Sequence, residues 1–369
     1  MRVERVGAKL LNYRQTRSTA TEFRLMVDCC RWSAHTEPAS PPLAGEAVDW
    51  DRFHALVRRH RVQGLVWHAL RVSDVAVPGA VRDVLAADAA RVAAQNLGAL
   101  AASTQLLERF QGAGLQLLFV KGLTLGALAY RNPFIKMSWD LDILVAPQEI
   151  EAAAVLLGEL DYRPVLPVSG IEAWHRRRKE SQWKAPDGSF LELHSRLADN
   201  RLMIPRIDTT SLRQDVEVTG GCTLPTLAPE PLFAYLCVHG ASSNWFRLKW
   251  IADLAAILNR VDEAGIAHLY ARSQQLGAGR SAAQALLLAE RLFGTARGSA
   301  LVAALRRDRV NRLLAKASMS DLAGDEPTGR RLGTARIHLS QLFLRSGIAF
   351  KAGEVGRQLA DAITNHRVG

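Results

Sequence analysis

The sequence predicts an α+β fold: a small mixed sheet set between N-terminal and C-terminal helical lobes. Three observations predict it. Apolar residues recur at helical spacing through residues 50–111 and again from about 228 to the end. Between them lie three short runs of strand length, LQLLFV (115–120), MSWDLDILV (137–145) and SFLELHSRL (189–197). These runs alternate irregularly with helical stretches, which fits neither a regular parallel βαβ array nor a pure helical bundle. With 369 residues, 48% of them hydrophobic, the chain can bury a sizeable core. Abundant Ala and Leu beside only 7% aromatics favour helix.

Residues 1–20 read as a loose basic arm, 21–33 as a short helix, and HTEPASPPLAGE (35–46) as a Pro-rich linker. Phe53, Leu56, Val57, Val62, Leu65, Val66 and Leu70 then have the spacing of an amphipathic helix or helical pair. An Ala-rich helix over 78–111 ends at Gly112 and Gly114. LQLLFV is a buried strand, and KGLTLGALAY (121–130) is a turn running into a helix that NPF (132–134) breaks. A strand over 137–145 and a helix over 148–160 follow, then a variable region with strands that includes 189–197. Helices complete the chain, one opened by Pro231 and another over 246–260. The expected units are the arm and linker (1–48), an N-terminal helical lobe (49–112), an α/β core (113–225) and a C-terminal helical lobe (226–369).

Composition excludes several classes. Four cysteines without paired ligand spacing suggest neither a disulfide framework nor a zinc site, so a reducing cytoplasm is the expected location. No apolar stretch approaches the ~20 residues that span a bilayer, and no signal peptide or membrane association is expected. The formal net charge of +11 and a pI near 9.9 suit an anionic partner, or else solvated arginines on helix faces. The run HRRRKE (175–180) is read as such a solvated helix face rather than an RNA track.

The 137–145 strand raises a chemical question. Side chains alternate along a strand, so Ser138, Asp140, Asp142 and Leu144 share one face. Trp139, Leu141, Ile143 and Val145 share the other, which is assigned to the core. Two neighbouring carboxylates repel and are costly to bury, so their face is either open to water or holds a cation. Phe190, Glu192 and His194 likewise share one face of the 189–197 run. Were the two strands neighbours, Glu192 would add a third carboxylate, a hard-oxygen set suited to Mg²⁺. Just upstream, Lys121, Gly122 and Thr124 stand at a strand-to-helix junction, where backbone N–H groups and the helix dipole favour anions. The Walker A spacing and G-x-G-x-x-G are both absent.

Together, LLFVKGLTLGALAYRNPFIKMSWDLDILV resembles the bacterial nucleotidyltransferase-family proteins of unassigned substrate, with the polymerase β-like fold. It is more distantly similar to the AbiEii-type toxin nucleotidyltransferases. The resemblance runs over roughly residues 50–260 and rests on Lys121-Gly122, Tyr130, Lys136, the Asp140–Val145 strand and Glu192-Leu193-His194. It continues in PEPLFAYLCVHGASSNWFRLKWIADLAAIL, with His239, Arg247, Lys249, Trp250 and Asp253 at matching places. Three positions depart from the pattern: Lys136 where Arg is common, Leu123 where the toxins carry a second Gly, and Glu192 where Asp is common.

The resemblance implies transfer of a nucleoside monophosphate from an NTP, ATP first among them, with release of pyrophosphate. Asp140, Asp142 and Glu192 are the implied catalytic residues and ligands of Mg²⁺, or Mn²⁺ in its place. Lys121, Gly122, Thr124, Lys136 and Lys249 are the expected nucleotide-binding residues. His194, His239, Arg247 and Asp253 are candidates for the acceptor or for supporting those groups. Of the tryptophans, Trp245 and Trp250 could stack on a base, with core packing favoured for Trp250. The acceptor is expected to be a small molecule or peptide rather than RNA, and nothing in the chain indicates its oligomeric state. Two rival readings are a toxin-like enzyme acting on tRNA, which the basic charge favours and Leu123 opposes, and a nucleotide-binding or scaffold protein that turns nothing over.

Overall fold

The structure, a computed structural model, describes residues 21–32, 47–165, 170–324 and 334–365. The arm at 1–20 and the linker at 35–46 lie outside the described residues. Helix α1 covers 21–29. The expected helical pair is α2 (Trp50–His60) and α3 (Gln63–Leu70), and the Ala-rich stretch is one 34-residue helix, α4 (Gly79–Gly112). Asp49 caps α2 by accepting from the Arg52 N–H, as an aspartate before a helix does.

The sheet region holds β1 (Leu118–Phe119), α5 (Leu123–Tyr130), β2 (Asp140–Leu144), α6 (Ile150–Glu159), β3 (Arg163–Pro164), α7 (Ile171–Arg177), β4 (Glu180–Lys184) and β5 (Phe190–His194). Its strands lie in the order β1-β2-β5-β4-β3. Only the central pair, β2 and β5, is parallel; the other neighbours are antiparallel. The sheet is therefore mixed and the fold α+β with helical lobes, as the sequence predicts. A separate hairpin, β6 (Arg213–Thr219) with β7 (Cys222–Leu227), leads into the C-terminal helices. These begin with α8 (Pro229–Ser242) and α9 (Leu248–Leu258) and continue through α10 (Glu263–Leu276), α11 (Gly279–Phe293), α12 (Ala300–Arg307) and α13 (Arg309–Ala323) to α14 (Ala335–Gln341) and α15 (Ile348–Asn365). Helix α8 opens at Pro229, two residues before the expected Pro231. Among the described residues no helix is long and apolar enough to cross a membrane.

The period-2 pattern of β2 divides two cores. Leu141, Ile143 and Val145 pack with Leu191, Leu193 and with Leu106 and Phe110 of α4. Leu144 packs on the other side, in a larger core that includes α8 and α9. Each such buried aliphatic side chain contributes roughly 1.5–3 kcal/mol. The carboxylate face of β2 is thus covered by the C-terminal helices and opens only at its N-terminal end, where Asp140 is partly exposed and Asp142 is 4% exposed.

The loop into β2 is pinned from two helices. Asn96, buried in α4, donates through Nδ2 to the carbonyls of Phe134 (2.9 Å) and Lys136 (2.8 Å). On α3, Gly64 lies so close to this loop that an added Cβ would stand 2.1 Å from the Ile135 carbonyl oxygen. Only a residue without a side chain permits that approach.

Candidate active site

The register between β2 and β5 sets Asp142 directly beside Glu192, and Leu144 beside His194. Because the pair is parallel and in step, Asp140, Asp142, Glu192 and His194 all project from the same face. Lys121, between β1 and α5, reaches this face with Nζ 2.7 Å from Asp142 Oδ1. The neighbouring Gly122 caps α5 with φ 67°, a left-handed conformation suited to glycine. His194, 1% exposed, donates through Nε2 to the same Asp142 oxygen at 3.1 Å and stands 3.5 Å from Glu192 Oε2. Its Nδ1 is 3.2 Å from Glu180 Oε2, though outside hydrogen-bond geometry.

These contacts split the two aspartates. Burial pushes the Asp140 carboxyl up to about 6, and the charge on Asp142 adds to the rise. Burial acts the same way on Asp142, but Lys121 and His194 outweigh it and hold that carboxyl well below the usual range. For His194, burial opposes the proton, yet Glu180, Asp142 and Glu192 raise it to about 9, so the ring is an imidazolium at neutral pH.

Opposite the carboxylates, the cleft is walled by α8, α9 and the loop before β2. Lys121, Lys136, Ser138, Asp140, Asp142, His239, Lys249, Trp250 and Asp253 line it. Lys136 stands 3.5 Å from Asp253 Oδ2, and Tyr130 donates its hydroxyl to Asp253 Oδ1 at 2.8 Å. Lys249 reaches the Met137 carbonyl at 3.5 Å instead of closing an i,i+4 pair with Asp253. Burial, with Lys136 and Arg61 nearby, pushes the Lys249 ammonium well below its usual range. Burial likewise lowers His239, helped by Lys121, so its imidazole is neutral where it meets Trp250 edge to face at 5.5 Å.

The cleft therefore gathers Lys121, Lys136, Asp140, Asp142, His239, Lys249 and Asp253, with Glu192 beside Asp142 and His194 buried behind them. Thr124 lies elsewhere: its buried hydroxyl donates to the carbonyls of Phe119 and Lys121, fastening the turn. Arg247 stands at the start of α9, where its guanidinium bonds the Arg59 carbonyl and covers the Phe246 ring. Trp245 is fully buried and donates to Gln284 Oε1, so it is a core residue.

Two expectations need correction. Trp139 is 51% exposed and not part of the core, because β2 begins only at Asp140 and the alternation does not extend back to it. The run 175–180 is a solvated helix face only at Arg176 and Arg177. Helix α7 stops at Arg177, His175 is buried between the Ser195 and Ser181 hydroxyls, and Lys179 and Glu180 lead into the edge of β4 beside β5. Glu180, ion-paired with Lys179, is thus a site neighbour that periodicity missed; the ESQWK alternation is the signal that could have found it. Asn96 gave no signal within its Ala-rich helix.

Asp142, Glu192 and His194 bring potential ligand atoms within 4.8 Å of one another. A sheet face of carboxylates opposed by lysines has the donor types that could hold a hard cation and phosphates. The chain belongs to the family described as uncharacterised nucleotidyltransferase, which matches residues 46–294. It is accordingly a nucleotidyltransferase. No curated protein matches it.

Proposed function

We propose that this nucleotidyltransferase moves a nucleoside monophosphate from an NTP, ATP first among them, to a small-molecule or peptide acceptor. The observation that carries the reading is the convergence of Asp140, Asp142 and Lys121 in one cleft with Lys136 and Lys249 across it.

The donor set fits Mg²⁺, or Mn²⁺ in its place. Asp140, Asp142 and Glu192 offer hard carboxylate oxygens, and a cation would offset both the burial of the Asp140 carboxylate and its repulsion by Asp142, which together raise it. The charged His194 ring serves as a hydrogen-bond donor to Asp142 and Glu192, since an imidazolium has no lone pair for a metal. Such an ion, when bound, neutralises charge on the phosphates and orients them.

Lys121, Lys136 and Lys249 meet the triphosphate, with the backbone N–H groups after Gly122 at the start of α5. Glu192 takes the proton of the acceptor hydroxyl. The acceptor oxygen bonds to the α-phosphorus as the bond from that phosphorus to the α–β bridging oxygen breaks, and pyrophosphate leaves. Positioning and charge neutralisation supply the rate, as phosphoryl transfer requires.

The test is transfer of label from each α-labelled NTP with Mg²⁺, using small molecules, peptides and total RNA as separate acceptor pools. Transfer to the first two pools, abolished in Asp142→Asn with its circular dichroism unchanged, is the expected result. Transfer confined to RNA would move the reading to a toxin-like enzyme. An active Asp142→Asn would remove the residue assignment.

A further inference from the structure

Beside the cleft lies a second cavity of about 200 Å³, walled by α2, α3, α4 and the loop ahead of β2. Met137 and Trp139 line it, while Ser138 and Asp140, interleaved with them in sequence, line the cleft. One short loop therefore serves both spaces.

Three features of this cavity have no role in the chemistry above. Trp139 is a large aromatic left 51% exposed at its edge, with the Arg61 guanidinium over its ring at 5.5 Å. Arg61 ends α2 at φ 58°, a left-handed conformation unfavourable for a residue with a side chain. Gln63 is 7% exposed, and its Oε1 has no hydrogen-bond partner among the described residues. An unsatisfied buried acceptor is costly, so one that lines a cavity points to a missing donor. Asp88, also at the wall, is already matched by His54 at 2.8 Å and Arg91 at 2.6 Å. It does not repel an approaching nucleotide.

We infer that this cavity receives the nucleobase of the donor NTP, stacked on Trp139 beside Arg61, with an exocyclic amino group donating to Gln63 Oε1. This rests on the nucleotide reading of the adjoining cleft. The volume lies below the ~300–1,000 Å³ of drug-sized sites, which suits one planar ring system and excludes a whole nucleotide. Base–aromatic stacking tolerates any base, whereas an acceptor at Gln63 selects those that carry an amino group. Adenine, guanine and cytosine meet that requirement; uracil does not.

The test measures binding of α,β-methylene ATP, its UTP counterpart and inorganic tripolyphosphate to the full chain with Mg²⁺. Trp139→Ala alters an exposed side chain and should weaken the ATP analogue roughly 5- to 100-fold. Tripolyphosphate binding should stay unchanged, and Trp139→Phe should recover most of the loss. Gln63→Leu removes an unsatisfied buried group and should leave the fold intact while narrowing the preference for ATP over UTP.

Unchanged ATP-analogue binding in Trp139→Ala would overturn the base assignment and leave the phosphate site standing. Equal weakening of both ligands would also overturn it, since Trp139 would then act through the loop alone. A raised KM for the acceptor with unaltered nucleotide binding would give the cavity to the acceptor instead. Wild type binding neither ligand would remove this assignment together with the nucleotide reading beneath it.

Discussion

The cleft contains two buried lysine–aspartate pairs, and they behave differently. On the sheet wall, Lys121 stands 2.7 Å from Asp142, and His194 donates to the same carboxylate. On the helical wall, Lys136 lies 3.5 Å from Asp253, whose other oxygen accepts from the uncharged Tyr130 hydroxyl. Asp142 is held well below the usual carboxylate range, whereas burial raises Asp253 despite its lysine. The sheet pair keeps full charge in the cleft. The helical pair, while lining the cleft, also joins α5, α9 and the loop before β2. Two pairs of identical composition thus differ in what else meets each carboxylate: the His194 ring at Asp142, an uncharged hydroxyl at Asp253.

The largest expected effect tests the chemical half of this contrast. Asp142→Asn should lower label transfer at least ~10³-fold, equivalent to about 4 kcal/mol of barrier. The protein should remain folded, because Asp140 and Glu192 still lie within reach of the Lys121 charge. Asp253→Ala should show the reverse pattern. It strands Lys136 in a buried site, and breaking such a pair costs about 3–5 kcal/mol, read as a lower midpoint in urea unfolding. Asp253→Asn keeps an acceptor for Tyr130 and should cost less than half as much. The contrast breaks if Asp253→Asn abolishes transfer without loss of stability.

Asp140 sharpens the contrast through pH. Its folded carboxyl titrates at about 6 against an ordinary 3.8, so between those values the folded state holds more protons than the unfolded state. Stability therefore falls as pH rises from about 4 to about 6 and then levels off. Asp140→Asn removes this cost and should stabilise the metal-free protein by on the order of 1–3 kcal/mol at pH 7, with the gain vanishing near pH 4. His175 runs oppositely. Burial lowers its ring to about 4, so its contribution is lost as pH falls from 6.5 towards 4. For that reason the difference between wild type and Asp140→Asn, followed against pH, is the informative curve. A gain that persists at pH 4 would mean that charge is not its source.

Much of this was legible in the sequence because alternation is a local property. Asp140 and Asp142, two apart, must share a face in any strand, and Glu192 and His194 obey the same rule. That β2 and β5 are neighbours in register is a long-range fact, for which the family resemblance was the guide. Trp139 was misplaced because alternation was extended one residue beyond the strand's start. Asn96 and Lys179 act through a loop and a strand end that no periodicity marks, whereas Glu180 opens the alternation of ESQWK. Arg247 illustrates a further limit: its position in the motif is clear, yet its guanidinium reaches back to Arg59, a contact 188 residues away in sequence.

The smallest expected effect supplies the control for burial. Arg109 and Glu159 join α4 to α6 at 2.8 Å, nearly as short a contact as Lys121–Asp142, but both side chains are about half exposed. Water already solvates each charge there, so a double-mutant cycle with alanine should give a coupling of only ~0.2–1 kcal/mol. Raising the salt to 1 M, where the screening length is about 3 Å, should remove most of it. The same cycle on Lys136–Asp253 should give a larger coupling that salt barely changes, because that pair is shielded from ions. Equal couplings for the two pairs, or a stronger one for Arg109–Glu159, would show that the loss of water does not govern these contacts, and the difference between the two walls of the cleft would then need another cause.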